Sequence, residues 1–148
     1  MASWEKDGFT ISTERQYLDI KVIHHFLSAD SYWARGITME KVMKSIEKSS
    51  ICFGMYEGDP SKEDRKQIGF VRAVTDFVRF AWIMDVFVLP EYRGRGLSKW
   101  MMETMVTQSE LRDVRKMMLC TYDAHGLYEQ YGFQTLEDPE IFMQRKIE

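Results

Sequence analysis

One stretch constrains the fold of this chain more than any other: Asp85-Val86-Phe87-Val88-Leu89-Pro90-Glu91-Tyr92-Arg93-Gly94-Arg95-Gly96-Leu97-Ser98. An apolar strand runs into a proline-broken turn, and the turn opens directly onto an amphipathic helix. Glycines let the backbone curl until several N–H groups point one way, and the start of a helix adds partial positive charge. The combination predicts an anion site, and its natural ligand carries phosphate. A Walker loop would need G-x-x-x-x-G-K-[ST], and this turn has neither that spacing nor the lysine. A dinucleotide fingerprint would need a third glycine where Lys99 stands.

Arg93-Gly94-Arg95-Gly96-Leu97-Ser98 resembles the pyrophosphate loop of the GCN5-related N-acetyltransferase (GNAT) family, [QR]-x-x-G-x-[GA], which follows a strand ending in V-x-P, here Val88-Leu89-Pro90. Ser98 departs from the usual Gly or Ala but is small enough to keep a close approach to phosphate. A second segment, Thr121-Tyr122-Asp123-Ala124-His125-Gly126-Leu127-Tyr128-Glu129-Gln130-Tyr131-Gly132-Phe133, resembles the family's later motif N-x-x-A-x-x-L-Y-E-x-x-G-F, with Thr121 in place of Asn. The interval between the motifs has room for one helix and one strand. The resemblance covers residues 50 to 148 well and the first fifty loosely.

The bulk properties narrow the alternatives. A chain of 148 residues fits one domain over residues 1–148 and can bury roughly two-thirds of its unfolded surface. The net charge of −3 argues against a nucleic-acid footprint. No apolar run is long enough for a membrane span, and Met1 to Asp7 lacks a signal core, so a cytoplasmic protein is expected, off the membrane. Cys52 and Cys120 lie in strand-like segments outside any Cys/His cluster. They read as buried reduced thiols, with no metal site. The 11 methionines are either soft core filler or the lining of an adaptable acyl or acceptor channel.

Periodicity predicts strands at Phe9–Ser12, Ile51–Glu57, Lys66–Thr75, Phe80–Val88, Met117–Thr121, Phe133–Leu136 and Ile141–Lys146. It predicts helices at Asp19–Ser28 (capped by Asp19), after Thr38 (with Met39, Val42, Met43 and Ile46 on one apolar face), at Ser98–Gln108 and at Ala124–Tyr131. The order β-α-α-β-β-β-α-β-α-β-β is that of the acetyltransferase fold: an α/β (α+β) architecture with a mixed, mostly antiparallel central sheet flanked by helices.

The resemblance implies acetyl-CoA as co-substrate, its pyrophosphate held by the N–H groups of Arg93, Gly94, Arg95, Gly96, Leu97 and Ser98. The arginines either add charge or form a solvated basic turn. It also implies that the backbone of Phe87 and Val88 pairs with the pantetheine arm and polarises the thioester carbonyl. Tyr128 matches the family's general acid, although its helical spacing would also suit simple packing. Asp85, a carboxylate inside an apolar strand, needs either a partner or a job. It is either the base that relays the amine's proton or an ion pair with a neighbour such as Arg72. Tyr32, Trp33 and Asp76 are candidates for the acceptor pocket, with an aromatic linker over the core as the bland alternative. His24 and His25 read as surface or satisfied core groups, and His125 lies near a helix start, where its cationic form is disfavoured although the cofactor is within its approach.

The expected function is acetyl transfer to a primary amine of a small molecule or peptide, direct and in a ternary complex, since neither cysteine falls in the motifs. A non-catalytic acyl-CoA-binding regulatory module is the alternative. A toxin acting on aminoacyl-tRNA would want a basic face, against the net charge of −3. The Gly58–Arg65 loop and the strand edges leave a homodimer open.

Overall fold

A computed structural model describes residues 1–147. Six strands form one sheet in sequential order: β1 (Ser3–Lys6), β2 (Phe9–Ser12), β3 (Ile51–Glu57), β4 (Lys66–Thr75), β5 (Ala81–Val88) and β6 (Met117–Met118). Every neighbouring pair is antiparallel except β5–β6, which is parallel. The helices are α1 (Ile20–His25, continuing as a π turn through Asp30), α2 (Met39–Lys48), α3 (Leu97–Thr107) and α4 (His125–Glu129). The mixed sheet flanked by helices is the architecture expected from the sequence.

The caps follow the expected chemistry. The Asp19 carboxylate accepts from the N–H groups of Lys21 and Val22, and the Thr38 hydroxyl accepts from Lys41 N–H. At the other end of α2, the Arg15 guanidinium donates to the Ser49 carbonyl and to that of Ile46, which also accepts from Ser49 N–H.

The sheet is buried on both faces. Phe53, Met55 and Ile68 meet Met101, Met102 and Met105 of α3, so these methionines are core filler. Phe70, Cys52 and Phe87 meet Ile23, Phe26 and Val42 of α1 and α2. The near-continuous burial of β3 reflects this central position.

Four expectations need correction. Ser3–Lys6 is an additional strand, joined to β2 by Asp7-Gly8, both at positive φ, a two-residue hairpin loop. Phe133–Leu136 and Ile141–Lys146 are not strands. Their β-prone residues Phe133, Thr135, Ile141 and Phe142 favour extension, but a strand exists only where a neighbour completes its ladder, and none does so for these segments among the described residues. Cys120 is exposed because β6 ends at Met118, before it; Cys52 is buried, which pushes its thiol pKa up. Met43, expected on the buried face of α2, is 53% exposed.

One buried group works against stability. The Tyr56 hydroxyl is fully enclosed with no hydrogen-bond partner among the described residues, and its ring folds over Gly54, where a Cβ would lie 2.3 Å from the phenolic oxygen. Tyr56→Phe keeps the packing and removes a polar atom desolvated without compensation. Its expected effect is neutral to stabilising, by about 1 kcal/mol, read from urea denaturation. A loss above about 1 kcal/mol would mean that the hydroxyl has a partner, such as a bound water.

Candidate active site

The site forms where β5 and β6 part. Their ladder covers only Ala81↔Met117 and Trp82↔Met118, so beyond Trp82 the edge of β5 that faces away from β4 is unpaired. Two features shape that edge. The first is a bulge: Phe70 pairs with Phe87 but Arg72 with Met84, so Asp85 and Val86 together face Val71. Asp85 takes the strain of the extra residue, at φ 58°, in a region that Asp tolerates better than most residues.

The second feature is the ladder's alternation. Leu89 N–H donates to Ile68 O at 2.8 Å, so Leu89 and, two residues back, Phe87 direct their backbone groups toward β4. Val88 and Val86 therefore present theirs to the open side. Phe87 was expected to share that edge; the register gives its backbone to β4, and its ring stacks on Phe26 at 4.2 Å. Val86, which takes its place, could have been found only by knowing the register.

Past Val88, the turn Pro90–Tyr92 leads into the glycine loop. Gly94 and Gly96 sit at φ 81° and 74°, and a Cβ at either would project into open space. The first backbone bond of the following helix runs from Trp100 N–H to Gly96 O, at 3.1 Å. The N–H groups from Gly94 to Lys99, Leu97 and Ser98 included, have no partner among the described residues, and Gly96 supplies no side-chain cap. That row of free donors at a helix start fits a phosphate group. The arginines differ in placement. Arg93 Nε turns back to donate to Val88 O at 3.2 Å, holding the loop against the strand. Arg95 rests its guanidinium over the Tyr92 ring, 5.3 Å from the centroid.

On the other arm, the Thr121 hydroxyl accepts from Ala124 N–H at 3.1 Å and fixes the approach to α4. Tyr128 on α4 is 8% exposed, edge-on to Phe133, and its hydroxyl has no hydrogen-bond partner among the described residues. Burial, followed by the neighbouring Tyr32 and Asp123, pushes its pKa up to about 12.

Asp85 has the ion pair named as one of its two alternatives. Arg72 Nε donates to Oδ2 at 2.6 Å, and the side chains are only 13% and 9% exposed. Its other oxygen, Oδ1, accepts from Trp33 Nε1 at 2.9 Å. Tyr32 stands beside Trp33, ring centroids 5.0 Å apart, and its oxygen accepts from Tyr122 N–H at 3.1 Å. Asp76 is not part of this assembly. It lies in the β4–β5 turn at the far end of β5, and its carboxylate accepts from the N–H groups of Val78, Arg79 and Phe80. Those backbone bonds hold its pKa below the usual carboxylate value. His24 Nε2 contacts Ile37 O at 3.0 Å, a structural tie.

A strand pair that splays beside a glycine-rich anion loop defines the class of acyl-CoA N-acyltransferase folds. The acetyltransferase (GNAT) domain matches residues 50–135, and this chain belongs to the GNAT acetyltransferase family. A GNAT-family protein of Xanthomonas campestris pv. campestris is 40% identical, with a TM-score of 0.85 over 94% of this chain and 93% of its own. A Gibberella zeae protein assigned to the acetyltransferases, FG08082, is 30% identical over 139 residues, 85% of this chain and 78% of its own. The chain spans 39% to 50% of the relatives it matches in Arabidopsis thaliana and Glycine max. A Clostridium acetobutylicum acetyltransferase solved with acetyl-CoA shares the fold at a TM-score of 0.61 and 17% identity, over 87% of this chain and 92% of its own. The chain is thus an acetyltransferase by family, and its reaction requires an acceptor. No helix among the described residues is long and apolar enough to cross a membrane.

Proposed function

We propose that this chain acts as one domain and moves the acetyl group of acetyl-CoA directly to a primary amine, with both substrates bound at once. The observation that carries the reading is three sets of groups without partners among the described residues: the N–H groups of 94–99, the backbone of Val86 with the N–H of Val88 on the open side of β5, and the Tyr128 hydroxyl. The loop N–H groups suit the pyrophosphate, with Arg95 free to swing from Tyr92 toward it. Val88 N–H and the bulge at Asp85–Val86 suit the pantetheine amides and the thioester carbonyl, whose oxygen gains charge as the amine adds.

In the reaction a C–N bond forms and the C–S bond breaks. The amine's proton leaves to solvent; Tyr128 donates a hydrogen bond to the sulfur as negative charge develops there, and the departing thiolate takes its proton from solvent. Asp85 is better read as a strut than as the base, because both of its oxygens already accept hydrogen bonds. Cys52, the thiol buried in the α1–α2 core, lies away from this edge, in keeping with transfer without an acyl-enzyme.

Acetyl-CoA at one hundred times its Kd is expected to stabilise the protein by about 2.7 kcal/mol, a rise in Tm of roughly 5–10 °C and clearly more than ADP gives. No shift would remove the coenzyme A site.

A further inference from the structure

The linker between α1 and α2 crosses the mouth of the splay, and adjacent residues tie it to both arms. Trp33 donates to Asp85 on β5, 52 residues away, and Tyr32 accepts from Tyr122 beyond β6, 90 residues away. The rings that make these ties are not core. Tyr32 and Trp33 are 43% and 42% exposed and Tyr122 is 87% exposed, yet they contact one another, with Tyr32–Tyr122 centroids 5.4 Å apart. A contiguous exposed aromatic patch at a cleft mouth marks a surface made for contact. The charge beside it is already compensated: Arg72 and Trp33 take both oxygens of Asp85. Asp123, next along the loop, is exposed to solvent, where its attraction for a distant cation is screened. Recognition at this mouth therefore rests on ring faces, which favour flat apolar groups and one ammonium over a polycation.

We propose that Tyr32 and Trp33 are a strap that positions the acceptor, and that the acceptor is an amine carried on an aromatic or similarly flat apolar body. This rests on the acetyltransferase reading above. The nucleophile must be a neutral amine, so an ammonium held at the ring faces gives its proton to solvent before attack.

The test is free-thiol release from acetyl-CoA with four probe amines: 2-phenylethylamine, tryptamine, spermidine and glucosamine. The aromatic amines are expected to have KM values at least about tenfold below those of the other two. Trp33→Leu should raise the aromatic amines' KM about tenfold at unchanged acetyl-CoA KM, whereas Trp33→Phe, which keeps a ring but loses the bond to Asp85, should recover most of that KM. Unaltered acetyl-CoA thermal shifts would show that the variants are folded and loaded. Absence of turnover with the aromatic amines, a preference for spermidine or glucosamine, or indifference to Trp33→Leu would overturn the proposal while leaving the acetyltransferase reading in place. Loss of the acetyl-CoA shift in the unmodified protein would overturn both.

Discussion

Replacing Arg72 by alanine is expected to cost about 3–5 kcal/mol of folding stability, one of the two largest effects anticipated here. The pair it breaks is buried on both sides, and alanine leaves the Asp85 carboxylate enclosed with one neutral donor, the Trp33 indole. That residual charge, more than the lost attraction, sets the magnitude. Arg72 also donates to the Ser49 hydroxyl at 3.2 Å, so a cap at the end of α2 loosens with it. Against a typical domain stability of about 5–15 kcal/mol, the variant would be marginal at 37 °C. The double change Arg72→Met with Asp85→Asn should recover most of the loss. It removes both charges, keeps an acceptor for Trp33, and places at φ 58° a residue that tolerates the left-handed region. Urea denaturation of the wild type, both single variants and the double variant gives the coupling as a thermodynamic cycle. A loss below about 1 kcal/mol for Arg72→Ala would mean that Asp85 is reached by water or carries a proton.

The same pair marks how far the sequence could be read. An aspartate within Ala81-Trp82-Ile83-Met84-Asp85-Val86 announces a charge that burial must compensate, and Arg72 on the neighbouring strand was a nameable partner. The loop from Gly94 to Ser98 was equally legible, because proline, glycine and the onset of helical spacing are local signals, as are the caps at Asp19 and Thr38; only Arg93 N–H, expected among the loop donors, is taken by Pro90 O. Asp7-Gly8 was a local signal too, and it would have revealed β1. What stayed hidden depends on register and distance. No pattern in β5 reports that Val71 faces two residues, which is what turns Val86 and Val88 rather than Phe87 to the open edge. Nor does any spacing join Trp33 to Asp85 or Tyr32 to Tyr122. The segments Phe133–Leu136 and Ile141–Lys146 show the converse: β-prone composition is local, whereas the ladder that would make them strands is not.

Tyr128→Phe should lower kcat about a hundredfold while leaving the Kd of acetyl-CoA unchanged, because the ring and its contact with Phe133 remain and only the hydroxyl goes. The figure belongs at the lower end of the range for acid catalysis. With its pKa pushed up to about 12, the phenol is a weaker acid than an ordinary thiol near 8.5, so complete proton transfer to the sulfur is uphill. The hydroxyl therefore acts chiefly by donating a hydrogen bond to sulfur as negative charge develops there, a contribution comparable to losing one oxyanion donor. The same burial fixes the pH dependence. A group with a raised pKa keeps its proton below that value, so Tyr128 remains a donor across the whole range in which an amine acceptor deprotonates. The rate should climb with pH as free amine accumulates, with no alkaline limb from Tyr128 below about pH 11. Tyr128→Phe should lower the whole profile without moving its midpoint. A kcat within twofold of the parent would remove Tyr128 from the chemistry. A Kd for acetyl-CoA that rises in step with the lost rate would reassign the hydroxyl to binding.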